Sequence, residues 1–109
     1  MRNLFLLLLA GCLGPTGSNL CVENAQTSAE ACEQEFDSDA IAQRQRDCDY
    51  LEGYTQSTGC AEDYKKLADC VSNAIAGKSC EKITEAINSE CAYLQGRVSG
   101  CLPPNNPAQ

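Results

Sequence analysis

The chain has 109 residues with 8 basic and 15 acidic side chains, no histidine, no tryptophan and 9 cysteines. A formal net charge of -7 repels nucleic acid and anionic head groups, and no basic run exceeds the pair Lys65-Lys66. Without histidine the commonest general base and neutral metal ligand is missing, so a Ser-His or Cys-His nucleophile is excluded.

In chain order, Arg2 precedes the apolar run Leu4-Phe5-Leu6-Leu7-Leu8-Leu9, which ends in Ala10-Gly11 and breaks at Gly14-Pro15. A basic start, a short apolar core and a small-residue cleavage site form a secretory signal, and spanning a bilayer would take about 20 apolar residues. Leu9-Ala10-Gly11-Cys12 resembles the lipobox of bacterial lipoproteins, in which signal peptidase II cuts before the cysteine and that cysteine carries the lipid. The resemblance implies a signal peptide at 1–11, lipidation of Cys12 and, with Leu13 in place of an aspartate after it, the outer membrane. Lipidation also leaves an even number of cysteines, as expected of an exported chain that pairs its thiols. Cleavage takes 11 residues and Arg2 from the 109, leaving 98 residues with 7 basic and 15 acidic side chains.

The segment 12–20 reads as a flexible tether, with Gly14, Pro15 and Gly17 and no periodicity. Thr27-Ser28-Ala29-Glu30 has capping-box form and predicts a helix to about Phe36. Asp37-Ser38-Asp39 stops it and can cap a second helix carrying Ile41, Cys48 and Leu51, and Gly53 with the polar stretch 55–59 predicts a loop. A third helix is expected from Cys60, where Tyr64, Leu67, Val71 and Ile75 recur at three- and four-residue steps, ending at Gly77. A fourth, capped by Ser79, runs through Cys80, Ile83, Ile87, Cys91, Leu94, Val98 and Cys101. The tail 102–109, with three prolines, is expected to be disordered. No stretch alternates like a strand, so 21–101 reads as an all-α, cysteine-rich domain of about four helices in two hairpins.

Only eleven Leu, Ile, Val and Phe residues lie between Cys21 and Cys101, too few for an apolar core to hold a charged chain alone. Disulfides supply the rest, each contributing roughly 3 to 4 kcal/mol for loops of this size. Cys60-x9-Cys70 and Cys91-x9-Cys101 resemble the twin Cx9C hairpins of the coiled-coil-helix-coiled-coil-helix family. That resemblance implies the pairs Cys60–Cys101 and Cys70–Cys91, although Cys80 intervenes and the export signal departs from a chiefly mitochondrial family. Cys32 and Cys48 lie on neighbouring predicted helices and are expected to pair, leaving Cys21 with Cys80. Eight cysteines nonetheless allow roughly a hundred connectivities.

No nucleophile elbow, phosphate loop or dinucleotide fingerprint occurs. The acidic residues read as caps and a solvated face, Asp37-Ser38-Asp39 lacks the rest of a calcium loop, and no Cys-x2-Cys pair offers zinc a site. No cofactor and no metal are expected. Tyr50 and Tyr54, one turn apart, form either an exposed patch for a partner or packing near Leu51, and Tyr64 is expected to face Tyr93 across the third and fourth helices. The leading expectation is an outer-membrane lipoprotein, anchored through Cys12, with a non-enzymatic structural or protein-binding ectodomain, a possible envelope partner and no nucleic acid. The rivals are a secreted inhibitor or toxin-like module and a thiol-disulfide redox protein.

Overall fold

The computed structural model describes residues 16–103, and within them the chain forms five α-helices and no strand. They are α1 Gly17–Ala31, α2 Ser38–Ser57, α3 Ala61–Ile75, α4 Cys80–Glu90 and α5 Ala92–Ser99. The protein is therefore an all-α, disulfide-stapled bundle. Cys12 and the segments 1–15 and 104–109 lie outside the described residues.

α3 is the organising element, because it packs against every other helix. Its apolar stripe at three- and four-residue spacing buries Tyr64, Ala68 and Ile75 along one side. Ala74, Ala86 and Cys91 form a buried cluster onto which Leu67, Val71 and Ile87 fold. The largest fully buried side chains are Ile75, Val98, Thr55, Cys48 and Cys91. Two of these five are half-cystines, so the disulfides are part of the core as well as cross-links.

Three helix boundaries differ from the expectation. α1 begins at Gly17, ten residues before the Thr27 capping box, and Thr16 caps it by accepting the Asn19 N–H at 3.0 Å. Residues 17–20, expected in the tether, are thus its first turn. α1 also stops before Phe36: Glu33 N–H donates to the Glu30 carbonyl at 3.2 Å and Gln34 N–H to the Ala29 carbonyl at 2.8 Å, the two bonds of a Schellman stop. α2 continues through Gly53 to Ser57 where a loop was expected. Glycine inside a helix costs about 1 kcal/mol, but Thr55 is fully buried there and returns its hydroxyl to the Glu52 carbonyl at 2.9 Å.

The single fourth helix is instead two, α4 and α5, divided at Cys91. Hydrogen bonds still run across the division, from Cys91 N–H to the Ile87 carbonyl and from Gln95 N–H to the Cys91 carbonyl, both at 2.9 Å. The change of direction has a geometric cause. A straight helix of this combined length would extend about 30 Å, beyond the 15 residues of α3, and bending at Cys91 keeps both halves on α3. After α5 the chain stays on the bundle for four more residues: Pro103 is buried, within the stretch 102–109 expected as a loose tail.

The disulfides are Cys21–Cys48, Cys32–Cys80, Cys60–Cys101 and Cys70–Cys91, with Cα separations of 5.9, 4.7, 6.2 and 5.9 Å. The expected pairs Cys32–Cys48 and Cys21–Cys80 do not form. Because α1 begins at Gly17, α1 and α2 make a full antiparallel hairpin whose link spans residues 32–37. Residues 21 and 48 lie equally far on either side of that link, so they meet. Cys32 sits in the link itself, too near the turn to reach Cys48, and is left to face the start of α4.

Candidate functional site

Polar side chains converge at one place in the bundle, where the first turn of α1 docks on α2 and α3. Four N–H groups at a helix start have no partner within the helix and together carry partial positive charge. Thr16 satisfies one, while Glu52 on α2 accepts the Ser18 N–H at 2.9 Å. The Ser18 hydroxyl donates to Asp49, and Gln45 Nε2 donates to Asp49 Oδ1 at 2.9 Å and to Ser18 Oγ at 3.1 Å. Gln45, Asp49 and Glu52 follow each other at four and three residues, so α2 presents them on one side.

Gly17 brings the turn into contact with α3. A Cβ placed there would lie 2.9 Å from the Tyr64 ring, a separation that real side chains do not adopt. Tyr64 is 7% exposed, and its hydroxyl is buried with no hydrogen-bond partner among the described residues. Burial, with the nearby carboxylates of Glu52 and Asp49, pushes the phenol up to about 12. The hydrogen bond from Ser18, then that from Gln45, holds the Asp49 carboxyl below its ordinary value.

This cluster positions a helix end. Ser18 donates to a carboxylate with no histidine to relay a proton, and both carboxylates are engaged by the turn they hold. Only one signal in the sequence pointed to it, the four- and three-residue spacing of Gln45, Asp49 and Glu52, and that spacing equally describes a solvated face. A second cross-link fastens α5 to α3, with Arg97 Nε donating to Asp63 Oδ2 at 3.1 Å, while within α5 Arg97 Nη1 donates to the Tyr93 hydroxyl at 3.3 Å.

The aromatic residues divide differently from expectation. Tyr93 is 74% exposed beside Arg97, whereas Tyr64 is buried, so the two do not face one another. The cause is the Tyr64 ring's contact with Gly17 on α1, which the expected tether left out. Tyr50 is 60% exposed, and its ring lies 6.1 Å from that of Tyr54, which is half-buried. Gly53, beside them on α2, has nothing within 4 Å of a built Cβ, so this face is open.

Asp37 acts as a cap, accepting the Ala40 N–H at 2.9 Å. Among the described residues no group of three His, Cys, Asp or Glu is placed to hold a metal ion. No helix among them is long and apolar enough to cross a membrane. A cleft of about 430 Å³ lies between α2, α3, α4 and α5, with Leu51, Leu67, Val98 and Leu102 as apolar walls and Asn88 and Gln95 as polar ones. No protein family, curated protein or solved structure matches this chain.

Proposed function

We propose that this chain is a lipid-anchored protein of the bacterial outer membrane, attached through Cys12, whose ectodomain is a rigid, non-enzymatic platform for a protein partner in the envelope. The observation that carries the reading is the disulfide set. All eight cysteines from Cys21 to Cys101 pair with one another, and the ninth is Cys12, in Leu9-Ala10-Gly11-Cys12. Disulfides on this scale belong to an oxidising compartment, where a signal of this form delivers its chain.

The docked first turn of α1 gives the anchor a short leash. Thr16 stands four residues after Cys12, a span of at most about 14 Å, so the bundle stays close to the bilayer. The open face at Tyr50, Gly53 and Tyr54 is where a partner would bind, because aromatic side chains give large contact area at low entropic cost.

Radioactive palmitate fed to cells expressing the full chain tests the anchor. Wild type is expected to carry label in the outer-membrane fraction, Cys12→Ser to carry none, and Leu13→Asp to move the label inward. Unlabelled wild type overturns the anchor. A photo-crosslinker at position 50 tests the platform, with a discrete adduct lost in Tyr54→Ala supporting it and adduct formation indifferent to that change opposing it.

A further inference from the structure

We infer that Cys32–Cys80 is a thiol-exchange site, the one disulfide of this protein built to be opened by a dithiol reductant while the other three stay closed. It stands independently of lipidation and rests on access, connectivity and helix-end polarity.

Access separates the four bridges. Cys48 and Cys91 are each 1% exposed, which shields one sulfur of Cys21–Cys48 and of Cys70–Cys91 inside the core. Cys60 and Cys101 are both half-buried, whereas Cys80 is exposed and Cys32 half-buried. Thiol exchange needs an approach to one sulfur and a solvated exit for the other: half-buried Cys32 offers the first, and Cys80, the one exposed cysteine of the four bridges, offers the second.

Connectivity gives the bond a distinct position. Cys21–Cys48 staples α1 to α2, while Cys60–Cys101 and Cys70–Cys91 staple α3 to the ends of α4 and α5. Cys32–Cys80 alone ties the first hairpin to the rest, and it joins α1 to α4, which otherwise touch sparsely. Breaking it removes the one covalent link between two units that each remain stapled, while α1 stays packed on α3.

The helix ends polarise the bond. Cys32 is the C-cap of α1, where partial negative charge opposes a thiolate, and Cys80 is the first residue of α4, where partial positive charge favours one. Ser79 makes no side-chain capping bond there, and Lys78 and Lys82 flank Cys80, with Glu81 between. Cys80 is therefore the better leaving group. The incoming thiolate bonds to Cys32 Sγ, the Sγ–Sγ bond breaks, and its electron pair leaves on Cys80. The second thiolate of the dithiol then displaces Cys32 from the mixed disulfide, so that the reductant departs oxidised and the protein holds two thiols. Cys60–Cys101 also joins a helix start to a helix end, and its half-buried sulfurs place it second. Glu33, directly after Cys32, has φ 53 and is the only non-glycine residue at positive φ among those described. Opening the bridge frees that link to relax.

The test treats the oxidised full chain with limiting dithiothreitol, quenches with N-ethylmaleimide and maps labelled cysteines by mass spectrometry over time. Cys32 and Cys80 are expected to label at least tenfold faster than the six cysteines of the other three bridges. Another bridge opening first, or all four opening together, overturns the proposal. With glutathione as a monothiol, the adduct is expected on Cys32 with Cys80 free, and an adduct on Cys80 overturns the polarity. Hydrogen exchange after selective opening is expected to rise in the first turn of α4 and in residues 33–37 only. A rise throughout the chain shows that the remaining bridges and the packing on α3 do not hold, and overturns the selective opening. Palmitate labelling stays at the wild-type level in every case, so failure here is distinct from failure of the anchor.

Discussion

Glu33 occupies at the end of α1 the left-handed position that Gly59 occupies at the end of α2, with φ of 53 and 80 respectively. Both ends make the same pair of closing bonds: Gly59 N–H donates to the Gln56 carbonyl and Cys60 N–H to the Thr55 carbonyl, as Glu33 and Gln34 do for α1. Only glycine adopts this conformation without crowding its Cβ. Glu33→Gly is therefore expected to stabilise the protein by about 1 kcal/mol, raising Tm by roughly 4 to 8 °C in calorimetry. Gly59→Ala is expected to shift Tm downward by a similar amount. A lower Tm for Glu33→Gly would mean that its carboxylate contributes something the backbone geometry does not reveal.

The Tyr64 hydroxyl is buried without a partner among the described residues, so it carries a desolvation cost that a ring alone would not. Tyr64→Phe is expected to be neutral or to stabilise, by about 1 kcal/mol, in urea unfolding. Gly17→Ala is expected to destabilise by about 1 to 3 kcal/mol, because its methyl would press on the ring it now accommodates. A Tyr64→Phe variant weaker than wild type would show that the hydroxyl is satisfied after all.

The same phenol sets an alkaline limit. Its folded value of about 12 lies above the ordinary 10.0, so folding favours the protonated form. That contribution is fully present below pH 10.0 and is lost as pH rises toward about 12. Between these values wild type is expected to lose stability faster than Tyr64→Phe, as read by urea midpoints taken at each pH. Parallel curves would remove Tyr64 from the account.

Asp49 sets the corresponding acid edge, with the opposite sign. Hydrogen bonds from Ser18 and Gln45 lower its carboxyl, so its contribution is present above the ordinary 3.8 and is lost as pH falls below it. Asp49→Asn is expected to flatten the acid side of the stability profile, and Ser18→Ala to do the same. A profile unchanged in Ser18→Ala would show that the hydroxyl does not hold the carboxylate.

Loop-closure entropy ranks the disulfides by separation, which makes Cys32–Cys80, at 48 residues, the costliest to remove. Burial reverses that order. Removing Cys70–Cys91, which closes only 21 residues, also opens a hole where Cys91 is 1% exposed. The Cys70→Ala, Cys91→Ala pair is expected to cost about 5 kcal/mol, more than Cys32→Ser with Cys80→Ser at about 4 kcal/mol. Urea midpoints of the two double variants decide between core burial and loop length.

The amino-acid sequence determines this protein wherever a single helix carries its own information. Leu67, Val71 and Ile75 on α3 and Ile83 and Ile87 on α4 repeat at helical spacing, and Asp37 stands where the start of α2 needs an acceptor. The large share of cysteine and the scarcity of Leu, Ile, Val and Phe likewise announce a stapled bundle.

Tertiary structure alone decided what depends on a partner far along the chain. The start of α1 at Gly17 was legible only in Thr16, a local cap set among Gly14, Pro15 and Gly17, because the rest of its first turn is held by Asp49 and Glu52, more than 30 residues away. From that one boundary the rest follows: the α1–α2 hairpin lengthens, Cys21 meets Cys48, Cys32 is left for Cys80, and Tyr64 turns to Gly17 and away from Tyr93. A cysteine's position shows that it can be bridged, but its partner is set by which helix ends arrive together. That is a property of packing, to which the local sequence contributes only half of each pair.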